Sequence, residues 1–315
     1  MKGSSISHYL IEFISFILMN QDNKAQTAVL ACMVDYKKAF NRQNHNILIT
    51  KLSDMGVPSW LLKVVMGFLS SRKMSVRFNG KTSSWKELPG GGPQGTLLGL
   101  LLFLVLINEV GFEGQVNNTG ELLTSKRNIK NANLIHLKYI DDLTLAESID
   151  LTNQLVHVPE NYRNLPDVYH GRTGHILPHD ASLVQSQLKS TQKLANSDQM
   201  KINIDKTKAM LFNQCRTVDF MPNLSLENQE IEVVEQMKLL GVIITSDLKW
   251  SANTEFIVKK AFKKLWVLRR LKEAGANRDE LIDMYIKIVR SIVELAVPVW
   301  HSSLKGVSAI NIDLS

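Results

Sequence analysis

Cysteine is scarce in this chain: Cys32 and Cys215 are its two cysteines, far apart in 315 residues. With no Cys-x-x-Cys pair, neither a disulfide framework nor a cysteine zinc site is indicated, and the usage suits a reducing compartment. Long apolar runs are missing too. Residues 9–19 (YLIEFISFILM) could pass for a signal peptide, but Glu12 interrupts them and no small-residue cleavage site follows. The run from Leu97 to Ile107 is far shorter than the roughly 20 residues a membrane span needs. The expected location is therefore intracellular, nucleus or cytoplasm, with no membrane partner. A P-loop is absent as well, because the glycine-rich stretch Pro89 to Thr96 is not followed by Gly-Lys-Ser/Thr. Acidic residues are outnumbered, 30 against 37 basic ones, for a net charge of +7 and a pI near 9.2. That balance mildly favours a polyanionic partner.

What is present is a core-forming composition, 44% hydrophobic and 21% charged, enough for one large domain or two to three subdomains. Tyr9, Phe13, Phe16 and Ile17 recur at helical spacing, predicting a packed helix that ends in a polar turn at Asn20 to Lys24. TAVLACMV (27–34) reads as a strand buried on both faces and ending at Asp35. A helix through Ile47, Leu48 and Leu52 follows. The next runs from Trp60 to Leu69, with Ser59 as its N-cap. Residues 73–80 and 83–88 form a hairpin turning at Asn79-Gly80. The glycine-rich loop then opens a fully buried helix, and its glycines would let backbone approach a ligand or nucleic-acid strand.

The stretch that organises the chain is Tyr139-Ile140-Asp141-Asp142, between the apolar segments Leu134 to Ile140 and Leu143 to Ala146. Adjacent carboxylates fit the tight turn of a hairpin, where they are placed to hold Mg²⁺ through hard oxygen ligands. An acidic hairpin turn alone is commonplace; the strand ending at Asp35 supplies the third carboxylate that makes it informative. Residues 150–180 read as an irregular insert carrying His157, His170, His175 and His179, without acidic or cysteine partners at ligand spacing. An amphipathic helix over 182–196 follows, presenting Leu183, Val184, Leu188, Thr191 and Leu194, and then a strand with Lys206 and Lys208 around it. Beyond Asn253 the pattern turns helical. Val258, Ala261, Phe262, Leu265 and Leu268 make an apolar stripe opposite Lys259, Lys260, Lys263, Lys264, Arg269, Arg270 and Lys272. Such a run is either a solvated face or a surface lying along a phosphate backbone. Asn277 with Glu280 caps a last helix reaching about Ala296.

Taken in order, these motifs resemble a reverse transcriptase of the non-LTR retrotransposon type, N-terminally truncated. They are an Asp-ended strand before Ala39-Phe40, a Pro93-Gln94-Gly95 loop, the Tyr-Ile-Asp-Asp hairpin, a Lys-Thr-Lys strand, a Leu-Gly hairpin and a basic helical end. The resemblance implies an α+β right-hand polymerase: partial fingers (1–27), a palm (28–249) and a truncated helical thumb (250–315). It implies RNA-directed DNA polymerase activity with two Mg²⁺ ions, Mn²⁺ substituting. The partners would be an RNA template, a DNA primer, their RNA–DNA duplex and dNTPs. Asp35 and Asp141 match the metal-bridging carboxylates and Asp142 the third, weaker ligand. Phe40 matches the aromatic that excludes a ribose 2′-hydroxyl, which disfavours an RNA polymerase. Gln94 and Gly95 match the loop touching template and nucleotide, Tyr139 a residue near the primer end, and Lys206 the lysine near the pyrophosphate. The basic helix (Lys259, Lys260, Lys263, Lys264, Arg269, Arg270) would follow the nucleic-acid backbone. Asn41 stands where the family often has Asp, at a position that does not bind metal. A catalytically silent nucleic-acid-binding remnant is the alternative, since little of the fingers is expected.

Overall fold

Helix α1 (Ile6–Asp22) and strand β1 (Thr27–Val34) open the fold and define its two cores. The computed structural model describes residues 5–22, 27–37, 39–88, 90–93, 95–107, 133–140, 142–150, 156–157, 175–176, 182–213, 220–221 and 223–301. Tyr9, Phe13, Phe16 and Ile17 are all buried, as their spacing requires, and α1 continues past Asn20 to Asp22. Along β1 the side chains alternate between two apolar clusters. Ala28, Leu30, Cys32 and Val34 join one, while Val29, Ala31 and Met33 join the other with α1. A strand covered on both faces has no solvent side, so its sequence shows no polar alternation.

A 3₁₀ turn (Ala39–Arg42) leads to α2 (His45–Asp54), capped by the Asn44 side chain, which accepts from the N–H groups of Asn46 and Ile47. In α3 (Ser59–Leu69) Pro58, not Ser59, occupies the cap position, and no side chain caps the end. Next comes a two-stranded ribbon. β2 (Lys73–Met74) pairs with β5 (Lys86–Glu87), and β3 (Arg77–Phe78) with β4 (Lys81–Thr82). Its turn falls at Asn79 (φ 49°) and Gly80 (φ 75°), the two positive φ values that the favoured hairpin turn needs. α4 (Leu97–Ile107) is not fully buried: Gly99, Leu102, Phe103, Leu106 and Ile107 are covered, while Leu97, Leu101 and Leu104 are exposed. It packs on α2 through one face.

β6 (Leu134–Tyr139) and β7 (Asp142–Asp150) form the central hairpin, longer on its second arm than the apolar stretch to Ala146 suggested. Within 150–180, β8 (Val156–His157) pairs with β9 (His175–Ile176), so the expected irregular insert contains a strand pair. His170 and His179 lie outside the described residues. α5 (Leu183–Ser197) is capped by Ser182; its buried face is Val184, Gln185, Leu188, Thr191 and Ala195, with Leu183 exposed. β10 (Lys208–Phe212) completes an antiparallel sheet in the order β10-β1-β7-β6. β11 (Phe220–Met221) lies parallel to β9. Two small hairpins follow, β12 (Ser225–Leu226) with β13 (Gln229–Glu230), and β14 (Gln236–Leu239) with β15 (Val242–Thr245).

α6 (Ser251–Glu273) follows the expected stripe except at Phe262. It buries Asn253, Thr254, Ile257 and Ala261, whereas Phe262 is 64% exposed. The N-terminal half of the helix packs on β15, where Asn253 Oδ1 accepts from the Ile243 N–H at 3.0 Å. Ala261 is buried and Val258, Leu265 and Leu268 are half-buried, so the contact face lies where the amphipathic pattern puts it, with Phe262 the exception. α7 (Arg278–Tyr285) has the expected Asn277–Glu280 capping box. It passes through a π turn (Ile286–Arg290) into α8 (Ser291–Val293), and α9 (Val297–Trp300) ends the fold with Trp300 buried in the α1 core. Among the described residues no helix is long and apolar enough to cross a membrane.

Candidate active site

Strand register decides which carboxylates meet. β1 and β7 run antiparallel with Val34 opposite Leu143. Asp35 and Asp142, the next residue on each strand, therefore leave the ladder at the same end of the sheet. The Tyr139–Asp142 pair closes the turn, so the expected tight hairpin forms. Asp141, at its tip, lies outside the described residues. Ile140 holds φ at 57°, a left-handed conformation costing a β-branched residue on the order of 1–2 kcal/mol. Strain of this kind persists where surrounding structure over-determines the turn.

Asp35 is half-buried and held from three sides. Its Oδ2 accepts from Asn203 Nδ2 at 3.1 Å, its carbonyl from the Asn203 N–H at 2.7 Å, and its N–H donates to Thr207 Oγ1 at 3.3 Å. It makes no ion pair among the described residues. Two carboxylates at neighbouring strand ends repel each other. Carboxylate oxygens are hard donors of the kind a Mg²⁺-type cation takes. Lys206 is exposed in the turn that holds Asp35, its N–H donating to the Asn203 carbonyl at 3.2 Å. Lys208 is instead paired with Glu232 at 2.5 Å.

Tyr139 is supported from below. Its ring meets Tyr9 edge-on at 6.3 Å, and the Tyr9 hydroxyl donates to Thr144 Oγ1 at 2.6 Å. Burial, with the Asp142 charge adding to it, pushes the Tyr9 hydroxyl well above the usual tyrosine range. Tyr9 read in the sequence as a core residue; its second role as the prop under the hairpin had no local signal.

Phe40 stacks on Phe103 at 4.2 Å and 26°. The glycine loop packs against the same turn. Gly92 N–H donates to the Phe40 carbonyl at 2.8 Å and Gly91 N–H to the Gln43 carbonyl at 3.0 Å. A Cβ at Gly91 (φ 78°) would meet the Asn41 carbonyl at 3.0 Å, and one at Gly92 the Gln43 Cδ at 2.8 Å. Gly91 thus permits close approach to the Asn41 backbone and Gly92 to the Gln43 side chain. Gly95 (φ 80°) faces open space, and Gln94 lies outside the described residues. Arg72 locks the loop from outside, donating to the Gly90 carbonyl at 2.9 Å and to the Gly91 carbonyl. His45 Nε2 lies 2.9 Å from that same Gly91 oxygen. Neither Arg72 nor His45 stood out in the sequence, because each acts across a long chain separation.

A buried polar cluster was equally invisible. Lys51 Nζ donates to Asp198 at 2.8 Å and to the Leu106 carbonyl at 3.0 Å, and Lys138 Nζ donates to the Ile107 carbonyl. Two ammonium groups thus meet the C-terminal carbonyls of α4, the negative end of its dipole. Burial, and then the Lys51 charge, push Lys138 down to about 8. On α6, Lys259 is tied to Glu255 and Arg270 to Glu273, while Lys260, Lys263, Lys264 and Arg269 are exposed without an ion pair among the described residues.

The family model described as reverse transcriptase (RNA-dependent DNA polymerase) matches residues 2–244. The RNA-directed DNA polymerase from mobile element jockey of Drosophila melanogaster is 24% identical over 281 residues, 89% of this chain and 26% of the relative. The probable RNA-directed DNA polymerase from transposon BS of the same species is 22% identical over 313 residues, 97% of this chain and 30% of the relative. The chain thus spans under a third of the length of these curated relatives. A solved structure of telomerase from Candida tropicalis with a fragment of telomeric RNA is 12% identical, with a TM-score of 0.47 over 95% of this chain and 43% of that one.

Proposed function

The chain belongs to the reverse transcriptase family, and from that membership we propose that it acts as an RNA-directed DNA polymerase, extending a DNA primer with dNTPs on an RNA template. The observation that carries the reading is the common sheet end of Asp35 and Asp142, with Asp141 between Asp142 and the strained Ile140. On this reading residues 28–249 are the palm, 1–27 the end of the fingers and 250–315 the thumb. Asp35 and Asp141 would hold two Mg²⁺ ions, for which Mn²⁺ could substitute, and Asp142 would complete the set. Bound there, the ions would lower the pKa of the primer 3′-hydroxyl and stabilise leaving pyrophosphate.

The chain's own groups do the positioning. Asn203 fixes the direction of the Asp35 carboxylate through its amide. Tyr139, propped by Tyr9, backs the primer end. Phe40, rigid against Phe103, fills the space of a ribose 2′-hydroxyl. Gln94 and Gly95 bear on template and incoming nucleotide, and Lys206 is the proton donor to pyrophosphate. The exposed cations of α6 follow the duplex backbone. Those cations do not depend on the sheet-end carboxylates, and this independence supports the second reading, a nucleic-acid-binding remnant without turnover.

Primer extension on an RNA template with dNTPs and Mg²⁺ separates the two. Extension by the wild type that Asp35→Asn and Asp141→Asn abolish supports the polymerase and its metal ligands. Tight duplex binding by a folded protein that never extends a primer supports the remnant. Replacing dNTPs with NTPs tests Phe40: wild-type discrimination lost in Phe40→Ala fits its proposed role.

A further inference from the structure

The ribbon β2–β5 has no place in the site described above, yet it concentrates side chains suited to binding. Val76 is 61% exposed, Phe78 76% and Trp85 68%, and the ribbon contributes no residue to either apolar cluster. Large apolar groups left outside a core in this density mark a recognition surface. Arg77, Lys81 and Lys86 are exposed around them, and the sole acid between positions 72 and 88 is Glu87, 3.4 Å from Lys73. Register puts cations on both faces. Phe78 sits opposite Lys81, and Arg77 on the other face is opposite Thr82. At its root the Leu88 N–H donates to the Arg72 carbonyl at 2.8 Å, and the Arg72 guanidinium grips the glycine loop.

We propose that this ribbon is a binding arm for single-stranded nucleic acid, in which Arg77, Lys81 and Lys86 meet phosphates while Phe78 and Trp85 stack on unpaired bases. Charge chooses the class of partner. An apolar protein surface would strip water from three cations without replacing it. A second ribbon from another copy would oppose like charges. A polyanion with accessible π-faces satisfies both sets of groups at once, and only unpaired bases offer those faces to rings on a flat ribbon. The arm is additional to the polymerase site and needs no turnover, so it is testable at equilibrium without metal or nucleotide.

The test is fluorescence anisotropy of a labelled oligodeoxythymidylate titrated with the full chain in EDTA, beside a blunt duplex as competitor. Phe78→Ala and Trp85→Ala should each weaken single-strand binding about tenfold while leaving duplex binding within about twofold. Arg77→Ala with Lys81→Ala should lower the slope of log K against log salt by about 1.4, or 0.7 per phosphate contact. Unchanged thermal melts, expected for exposed positions, keep these losses from being unfolding. Single-strand affinity unaltered by either aromatic substitution overturns the proposal, as does an equal loss on single strand and duplex. A wild-type dimer in sedimentation that Phe78→Ala dissociates would assign the surface to a second copy instead.

Discussion

The sheet end and the basic half of α6 sit at opposite extremes of how a fold presents function. Asp35 and Asp142 are carried by backbones inside a buried ladder, and β1 is covered over all eight residues. The second half of α6 buries nothing beyond Ala261 and displays its cations on a helix surface. On the proposed function, one region would work by fixed geometry, where a displaced oxygen is costly. The other would work by charge density, where individual side chains are exchangeable. Changes at the sheet end should therefore act on turnover, and changes on α6 on affinity and its salt dependence.

The largest expected effect would break the comparison if it failed. Asp35→Asn or Asp142→Asn should lower primer extension at least about a hundredfold, since even outer-shell partners of a metal cost ten- to a hundredfold. Duplex affinity should stay within about twofold, read by anisotropy on the same preparations. Turnover surviving in both variants would remove the sheet end from the chemistry.

Next comes the glycine loop, the one part of the site packed like a core. Gly92→Val must displace the buried Gln43 side chain. It should lower unfolding free energy by about 1–3 kcal/mol in urea denaturation, the usual cost of overpacking. A neutral result would mean that the loop stands away from the Ala39–Arg42 turn.

On α6 the expected changes are smaller. Lys263→Ala with Lys264→Ala should reduce the salt slope of duplex binding by about 1.8, or 0.9 per contact, with stability altered by under about 0.5 kcal/mol. Lys259→Ala should do less, because Glu255 already neutralises that ammonium locally. An unchanged slope would reclassify the surface as merely solvated.

The smallest effect concerns the lysines behind the sheet. Lys138 is held down to about 8, below the ordinary lysine value of 10.5. Below pH 8 the group is charged in both states, and the folded state bears the full penalty. Between about pH 8 and 10.5 the folded chain has released a proton that the unfolded chain still binds, so this contribution to stability rises with pH. Across pH 8 to 10 the urea midpoint of the wild type should climb relative to that of Lys138→Met, a difference that cancels the opposite trend from the Cys32 thiol, which burial pushes upward in both proteins. Staying below pH 10 avoids the opposite trend from Tyr9 and Tyr36, whose hydroxyls burial pushes upward.

The two regions also differ in how far they could be read in advance. The strand ending at Asp35, the hairpin turn, the Asn79-Gly80 turn and the Asn277–Glu280 box all follow from residues within a few positions of one another. Phe262 was misread for the opposite reason. Its place on an apolar stripe is local, but whether a neighbour covers it depends on how β15, α7, the π turn and α8 meet α6. The glycines of the loop mark close approach in the sequence, but their protein neighbours are not local. That the turn at Phe40 and Gln43 presses on Gly91 and Gly92 is a contact across some fifty positions.

By itself the sequence determined the strand ending at Asp35, the turns at Asn79-Gly80 and Ile140-Asp141, that β1 is covered on both faces, and the ordered motifs that mark the family. Those properties rest on periodicity, turn chemistry and caps, which act over one or two turns of chain. Only the tertiary structure decided that Asp35 and Asp142 share one sheet end and that Arg72 and His45 hold the glycine loop. It alone brought Lys51 and Lys138 to the end of α4 and left the aromatic ribbon outside both cores. Each of these depends on register and packing between segments distant in the chain, which no local pattern encodes.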